Sequence, residues 1–422
     1  MKRSIILLIA WLIVIQVGYA ARILIPMDEK QNNHLKSYGV AYWTLEQDVE
    51  IQWLLNYRGG SFMFKHHSAL EEECIARGIS YKVISDAQAA AIVKEISNPE
   101  KNTDAVKLHK APEIVVYSPK DKQPWDDAVT LVLTYAEIPY DVVYDKEVLD
   151  GKLPEYDWLH LHHEDFTGQY GKFWANYRGT EWYQKKVKSN EEMARKLGYK
   201  KVSQMKLAVA KRIRDFVLGG GYLFSMCSAP DSFDVALAAD GVDICRKMFD
   251  GDPMDPNAQS KLNYENCFAF EDFSIVTNPY EYEISNIDVD PRKRMQKVDK
   301  ESDLFTLFEF SAKWDPIPTM LTQNHTRIIE GFMGQTTAFR KKFLKSDVLV
   351  MGENKGLDEA RYIHGTRGDG TWTFLSGHDP EDYQHLVGDP PTKLDLHPKS
   401  PGYRLILNNI LFPAAKKKKR KT

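Results

Sequence analysis

The spacing of hydrophobic residues alternates between two periods along the chain, and this alternation predicts an α/β protein. Short apolar runs with the length of buried strands occur near residues 22–27, 49–57 and 80–84. Between these runs, apolar residues recur three and four positions apart, as they do on one face of a helix. Strands that alternate with helices favour parallel pairing, so residues 21–98 are predicted to form an N-terminal α/β unit.

A second and larger domain is predicted from residue 112 to residue 412, after a polar linker at residues 99–111. Its predicted strands lie at residues 113–117, 140–144, 156–163, 222–226 and 371–376. Two insertions interrupt this domain, at residues 166–200 and 252–345. The first insertion is aromatic and polar, and we expect it to be rich in loops and to cover a site.

The segment around Cys227 has the pattern of a strand, a sharp turn and a helix. Apolar residues at helical spacing over residues 205–218 are followed by three glycines and by a short apolar run at residues 222–226. Cys227 comes next, and Ser228 to Asp231 can open the following helix. Such a turn presents one side chain at the carboxyl edge of a parallel sheet, so Cys227 is predicted to be a nucleophile or a substrate contact, with Ser228 and Asp231 beside the ligand. A buried structural cysteine is the alternative.

A second candidate lies at the end of the predicted strand at residues 371–376. Gly377 follows this strand and lets His378 project from its end, and Asp379 and Glu381 come shortly after. A histidine beside carboxylates is suited to act as a base that an acid orients. The alternative is a helix N-terminus that holds acidic residues because they complement its dipole.

A third candidate is the run HLHHED at residues 160–165, at the end of another predicted strand. Alternate residues of a strand share a face, so His160 and His162 are placed together, as metal ligands often are. We expect His162, His163 and Glu164 to line a pocket near Cys227. Hydrogen-bonded histidines without a metal are favoured, so no cofactor is predicted, and a divalent metal on His160 and His162 is the alternative.

The first twenty residues have the pattern of a secretory signal peptide. Lys2 and Arg3 precede an apolar run at residues 5–15, and the segment ends in small residues at Ala20. This run is short for a bilayer span, and no later stretch is apolar enough, so no stable membrane span is expected. The mature chain is predicted to be exported to the periplasm or the cell envelope.

The formal net charge of −3 conceals an uneven distribution. Without the two basic residues of the predicted signal the charge is −5, and without the six basic residues at 416–421 it is about −11. Such an acidic body argues against nucleic-acid binding and leaves a small molecule as the expected partner. The basic tail, residues 413–422, is predicted to be solvated or to touch an anionic surface.

Cysteines are few for an exported chain of 422 residues, with one each at positions 74, 227, 245 and 267. Export permits disulfides, but four cysteines in so long a chain do not form a disulfide framework. Cys245 and Cys267 are the first candidates for a disulfide, which would leave Cys227 with a thiol.

The two strand-end motifs together resemble the class I glutamine amidotransferase-like superfamily, and within it the trehalose-utilisation (ThuA-like) branch. The segments GGGYLFSMCSAPDSF and TWTFLSGHDPEDY carry this resemblance, which covers about residues 112–412. It implies a flavodoxin-like parallel sheet, with a ligand beyond the carboxyl ends of the strands. Two departures are that amidotransferases have glycines where Ser225 and Ala229 stand, and that the ThuA-like branch usually has histidine in place of Cys227.

The whole chain also resembles exported bacterial proteins that carry the label asparagine synthetase B, most clearly in the segment YGVAYWTLEQDVEIQWLLNYRGGSF. The enzyme of that name uses an N-terminal cysteine nucleophile and an ATP-pyrophosphatase loop, and this sequence has neither motif. The resemblance therefore implies a shared label without the chemistry of that enzyme.

These observations favour an exported amidotransferase-like hydrolase that acts on a small polar amide or carbohydrate. Cys227 would attack the substrate and His378 would take the proton, with Glu381 or Asp379 orienting the imidazole. A non-catalytic periplasmic protein of the ThuA-like type, which binds a carbohydrate or another ligand, is the alternative. The distance between the Cys227 sulfur and a His378 ring nitrogen separates the two interpretations, because nucleophilic catalysis requires these atoms to lie within hydrogen-bond reach.

Overall fold

The computed structural model describes residues 21–120, 123–289, 303–332, 338–382 and 387–415. The predicted signal peptide and the basic residues after Ala415 lie outside this range. Within it, no helix combines the length and the apolar character that crossing a bilayer requires.

The N-terminal region forms a five-stranded sheet with three helices. Its elements are β1 (Ala21–Ile25), α1 (His34–Glu46), β2 (Ile51–Leu55), β3 (Ser61–Lys65), α2 (Ser68–Ala76), β4 (Lys82–Ser85), α3 (Asp86–Ile96) and β5 (Asp104–Leu108). The strand order is β4-β1-β3-β2-β5, and every pair is antiparallel. The predicted parallel pairing was therefore wrong.

Two strands that the hydrophobic pattern did not indicate explain this difference. Asn56, Arg58, Gly59 and Gly60 all have positive φ angles, which reverse the chain between β2 and β3. The resulting hairpin pairs β3 with β2 directly, without the helical crossover that parallel strands need. The predicted linker at residues 99–111 contains β5, which pairs with β2 at the sheet edge.

The second region forms a mixed sheet of ten strands among the described residues. Its first half comprises β6 (Ile114–Tyr117), α4 (Ala128–Ala136), β7 (Asp141–Val143), α5 (Asp145–Leu149), β8 (Trp158–Leu161), α6 (Trp174–Tyr177), α7 (Glu181–Lys196), α8 (Val202–Leu218), β9 (Tyr222–Met226), α9 (Ala229–Ala238) and α10 (Lys247–Asp250). Its second half comprises β10 (Leu304–Leu307), β11 (Ile328–Glu330), β12 (Phe339–Arg340), β13 (Leu349–Asn354), β14 (Glu359–Arg367), β15 (Gly370–Leu375) and α11 (Pro401–Leu411). The protein is thus of the α/β class.

The parallel and antiparallel parts of this sheet are separate. Strands β7, β6, β8, β9 and β15 are adjacent in that order, and each neighbouring pair is parallel. Strands β14, β13, β10 and β11 continue the sheet beyond β15 with antiparallel pairing, and β12 pairs with β14. All carboxyl ends of the parallel strands therefore lie along one edge.

The hydrophobic core is continuous across the predicted domain boundary. One buried cluster combines Phe64 of the N-terminal sheet with Leu133 of α4, Leu407 of α11 and Phe224 of β9. A second cluster fills the other face of the large sheet, where α8 and α9 pack. The layers are therefore sheet, helices, sheet and helices, with α1, α4 and α11 between the two sheets.

The first predicted insertion is more regular than expected. Helix α7 occupies 16 residues of it, so the expectation of a loop-rich segment was wrong there. The helix is largely polar, but Tyr183, Asn190 and Ala194 are buried. Its aromatic residues pack with Trp125 and Phe173 in a separate cluster, and that packing stabilises a helix with a weak apolar stripe.

Candidate functional site

Cys227 occupies a strained turn between β9 and α9. Its φ angle of +57° lies in the left-handed region, which costs a non-glycine residue roughly 1–2 kcal/mol. Its side chain is fully buried, and its amide N–H donates to the Gly377 carbonyl at 2.9 Å. The predicted sequence of strand, turn and helix is confirmed.

His378 follows β15, the strand that pairs directly with β9. Gly377 has a φ of +82°, and a Cβ atom there would lie 1.6 Å from the Phe332 carbonyl oxygen, so only glycine fits. The His378 ring is fully buried. Its Nδ1 atom lies 2.8 Å from Nε2 of His162, and its Nε2 atom lies 3.3 Å from an Asp126 carboxylate oxygen.

The histidines that follow β8 complete the group. The rings of His162 and His163 stack at a centroid distance of 4.0 Å, and the His378 ring lies 4.6 Å and 4.4 Å from them. Nδ1 of His162 lies 3.0 Å from Asp127 Oδ2. His160, two residues earlier in the chain, contacts the same oxygen through Nε2 at 3.2 Å.

Four potential metal-ligand atoms converge at this edge of the sheet. One nitrogen each from His162, His163 and His378 and the sulfur of Cys227 all lie within 4.8 Å of one another. We call this group the His3Cys cluster. Its members follow three adjacent parallel strands, β8, β9 and β15, so the fold itself brings them together.

Asp126 and Asp127 lie in the loop before α4, and their carboxylates contact the His378 and His162 rings of this cluster. Asp127 caps that helix, because its Oδ1 accepts the N–H groups of Val129 and Thr130 at 2.8 and 3.0 Å. Burial would raise the pKa of Asp127, but His162 and His160 outweigh it and hold the pKa well below its usual value. Sequence reasoning did not identify these two acids. The sequence feature that could have identified Asp126 and Asp127 is their position just before a predicted helix, at the same edge of the sheet as the other candidates.

The positions of the carboxylates constrain the protons on the two imidazoles. A nitrogen that faces a carboxylate is favoured as an N–H donor, which favours protons on His378 Nε2, hydrogen-bonded to Asp126, and on His162 Nδ1, which lies at ion-pair distance from Asp127 without a regular hydrogen bond. The other two nitrogens then present lone pairs to each other at 2.8 Å. Such an arrangement is repulsive unless a cation, either an extra proton or a metal ion, lies between them. Histidine ligands of metals typically donate their second N–H to a carboxylate in this way.

Two acids predicted to orient His378 have other partners. Asp379 accepts the Tyr403 hydroxyl at 2.6 Å and the Glu381 amide at 2.8 Å, and burial raises its pKa. Glu381 lies 3.1 Å from Nδ1 of His397. The carboxylate that orients His378 is Asp126, since the turn at Gly377 leads the chain towards α11. The expected role of Asp379 and Glu381 is corrected accordingly.

Of three further residues predicted to contact the ligand, one lines a cavity beside the cluster and two are buried in the interior. Glu164 lines a cavity beside the cluster, together with His162 and His163. Asp231 is buried and accepts the Ser285 hydroxyl at 2.8 Å, and burial raises its pKa to about 7. Ser228 is buried at the start of α9.

The cavity has a volume of about 550 Å³ and lies between the carboxyl ends of β6 and β8. Asp126, Asp127 and Trp125 form part of its wall. Because His162 and His163 of the His3Cys cluster line this cavity, a small molecule in it would adjoin that side of the cluster.

The predicted disulfide was wrong, because none of the four cysteines is disulfide-bonded. The Cys245 thiol contacts the Thr167 carbonyl, and the Cys267 thiol contacts the Asp234 carbonyl. The two residues belong to different hydrophobic clusters. Cys227 retains its thiol, as predicted.

No family model matches the chain, and no curated protein matches it. Two similar solved structures are the Cytoplasmic Protein STM3548 from Salmonella typhimurium, with a TM-score of 0.35 and 10% identity, and the Cytoplasmic Protein STM1381 from Salmonella typhimurium LT2, with 0.36 and 12%. Each similarity covers 72% of this chain and 100% of the other. A third is Gan42B, a GH42 beta-galactosidase, with a TM-score of 0.28 and 12% identity over 64% of this chain and 28% of the other. These values are too low to support any functional argument.

Proposed function

We propose that this protein is an exported metal-dependent hydrolase, whose ion is held by the His3Cys cluster. The observation that carries the proposal is the combination of four converging donors with carboxylates on the outer nitrogens of His162 and His378. Imidazole and thiolate are the ligands that zinc and related transition metals prefer. Calcium and magnesium are disfavoured, since they require oxygen ligands.

The order of the parallel strands supports a flavodoxin-like fold, as the resemblance to the class I glutamine amidotransferase-like superfamily implies. If β6, β7, β8, β9 and β15 are numbered 1 to 5 along the chain, their spatial order across the sheet is 2-1-3-4-5. In sheets of this order, the ligand binds at the switch point between the first and third strands. The cavity beside the cluster lies between the ends of those strands, β6 and β8.

The chemistry that follows is hydrolysis of a small polar amide or carbohydrate that enters the cavity. An ion of the zinc class supplies a Lewis acid and lowers the pKa of a bound water. A hydrolytic zinc ion would be held by three protein ligands with its remaining position open, so three of the four donors would hold the ion and water or substrate would enter from the cavity side of the cluster. Asp126 and Asp127 keep the two imidazoles in the tautomer that presents a lone pair to the cluster.

Metal analysis of the purified mature chain tests this proposal. We expect about one transition-metal ion per chain after purification without chelator. In Cys227→Ser, metal should be lost if the sulfur is a ligand, and cobalt-substituted wild type should show a thiolate-to-cobalt absorption band that this variant lacks. His66→Ala alters a partly exposed histidine that pairs with Glu71; this variant is the control and should retain the ion. A protein that binds no transition metal, even when the ion is supplied, would exclude the proposal.

A second candidate is a cysteine hydrolase of the amidotransferase-like type, and the left-handed backbone of Cys227 favours it. Strained turns of this kind present nucleophiles. Cys227 would attack the substrate, His378 would take the proton, and Asp126 would orient His378. Rapid alkylation of Cys227 by iodoacetamide in a metal-free protein would support this candidate, because an activated thiolate reacts faster than an ordinary thiol.

A further inference from the structure

Glu164 presents a carboxylate to the cavity of about 550 Å³ beside the His3Cys cluster. The residue is only 5% exposed, and its Oε2 atom accepts the Tyr144 hydroxyl at 3.2 Å. Its Oε1 atom has no hydrogen-bond partner among the described residues, yet this oxygen is not shielded from solvent. An almost buried carboxylate with one open oxygen has lost most of its hydration, so a donor from outside the chain would stabilise it.

The neighbouring lysines do not satisfy this open oxygen. Lys206 Nζ lies 3.9 Å from Glu164 Oε2. Its three N–H groups instead donate to Asp145 at 2.9 Å and to the hydroxyls of Tyr117 and Tyr144, each at 3.0 Å. Lys186 makes no hydrogen bond through Nζ among the described residues, and burial lowers its pKa. The Tyr144 hydroxyl and Lys206 therefore hold Oε2 in place and leave Oε1 to the cavity.

The wall of the cavity favours a cationic ligand over an anionic one. Its carboxylates come from three residues, Asp126, Asp127 and Glu164. The single lysine or arginine of the described wall, Lys120, pairs with Glu147 at 2.7 Å and has a side chain that is 72% accessible. Tyr117 and Trp125 also line the cavity, and aromatic faces attract ammonium groups.

The other two acids of the wall have partners within the chain. Asp126 contacts His378, and Asp127 contacts His160 and His162 and caps α4. Their negative charge offsets that of the imidazoles and of an ion held by them. Glu164 makes no such contact with the cluster, so its open oxygen is the acceptor that we assign to the ligand.

We propose that Glu164 Oε1 binds a protonated amino group of the ligand. An ammonium supplies both a hydrogen-bond donor and a positive charge, whereas a hydroxyl supplies only the donor. In combination with the proposed function, on which the reaction rests, the substrates are amides or carbohydrates that carry an amino group away from the bond that is cleaved. Glu164 is then a specificity-determining residue, and Tyr144 and Lys206 are positioning residues.

Titration of the mature chain with butylammonium, followed by ligand-observed NMR at neutral pH, tests this assignment. Butan-1-ol and butyrate are the uncharged and the negatively charged counterparts with the same chain length. We expect butylammonium to bind and the two counterparts to bind more weakly by roughly tenfold or more, as for the loss of a hydrogen bond between charged groups.

Three variants locate the amino group. Glu164→Gln keeps the size of the side chain and an acceptor for Tyr144 but removes the charge, so the dissociation constant of butylammonium should rise roughly tenfold or more. Glu164→Asp keeps the charge but withdraws it by one methylene, so its affinity should be intermediate, and this variant tests the site even where Glu164→Gln does not fold. Glu155→Gln alters an acid whose side chain is 58% accessible, and it should match the wild type.

Equal binding of butylammonium and butan-1-ol by the wild type would overturn the assignment. So would an unchanged affinity in Glu164→Gln, which would place the amino group elsewhere, or displacement of butylammonium by magnesium chloride but not by sodium chloride of equal ionic strength. The titration requires neither metal nor activity, so a chain that binds butylammonium but no metal would exclude the hydrolase proposal alone. The metal content of Glu164→Gln should equal that of the wild type.

Discussion

Two groups of buried or partly buried histidines in this protein have different partners. In the His3Cys cluster, carboxylates stand behind His162 and His378. The rings of His34, at the start of α1, and His325 are tilted against each other at a centroid distance of 4.4 Å, and His34 Nε2 lies 3.0 Å from the Asp28 carbonyl oxygen.

The second group, His34 and His325, lies near positively charged side chains. Burial, together with the positive charges of Arg404 and Lys399, lowers the pKa of His34 to about 4 and that of His325 to about 3. These imidazoles are neutral packing residues. Burial therefore does not distinguish the two groups, whereas a carboxylate behind the ring and a converging donor in front of it are found only at the proposed metal ligands of these two groups.

The largest expected difference between the two groups is metal retention. His378→Ala should reduce the metal content from about one ion per chain to near zero, because it removes one of the four converging donors. His325→Ala should leave the metal content unchanged. Elemental analysis of both variants after gel filtration measures this directly. Equal retention by the two variants would remove the distinction between the groups.

A smaller effect is expected from the carboxylate behind His162. Asp127→Asn retains a side chain that caps helices well, but it cannot stabilise the imidazole N–H as a charged acceptor. We expect metal affinity to fall by roughly 10- to 100-fold, as for other carboxylates behind histidine ligands. Competition with a chromophoric chelator gives the dissociation constants. Asp141→Asn, at an exposed carboxylate that accepts the Tyr156 hydroxyl, is the control and should match the wild type.

The His34 and His325 group should instead affect stability as a function of pH. Their folded pKa values lie below 6.5, so the unfolded chain binds more protons between about pH 4 and 6.5, and stability falls as pH falls through this window. The slope is at most about 1.4 kcal/mol per pH unit for each histidine. Urea unfolding at pH 7 and pH 5 should show a smaller difference for His325→Phe than for the wild type. An unchanged difference would mean that the pair does not control this dependence.

The smallest effect is expected at a buried histidine outside both groups, His364 of β14. Its Nδ1 atom lies 2.8 Å from the Thr373 hydroxyl, and burial lowers its pKa to about 3. Thr373→Val should lower the free energy of unfolding by about 1 kcal/mol through loss of this hydrogen bond. The metal content should not change. Loss of metal in Thr373→Val would show that a change in β15 also affects the His3Cys cluster.

Sequence patterns predicted most of the elements near the site. The strand at residues 222–226, the turn at Cys227 and the helix after it have the bounds that local propensity indicated. His378 and the HLHHED run were both recognised as strand-end groups. The roles of Asp379, Glu381 and the Cys245–Cys267 pair were wrong, since each depended on a distance between residues whose relative positions are set by packing.

The sequence by itself determined most of the strands and helices near the site and which side chains stand at strand ends, because the period of apolar residues and the turn residues act locally. Tertiary structure alone decided that the N-terminal sheet is antiparallel and that β8, β9 and β15 are neighbours. It also placed Asp126 and Asp127 behind the histidines. Such choices depend on contacts between residues far apart in sequence, which no local periodicity encodes.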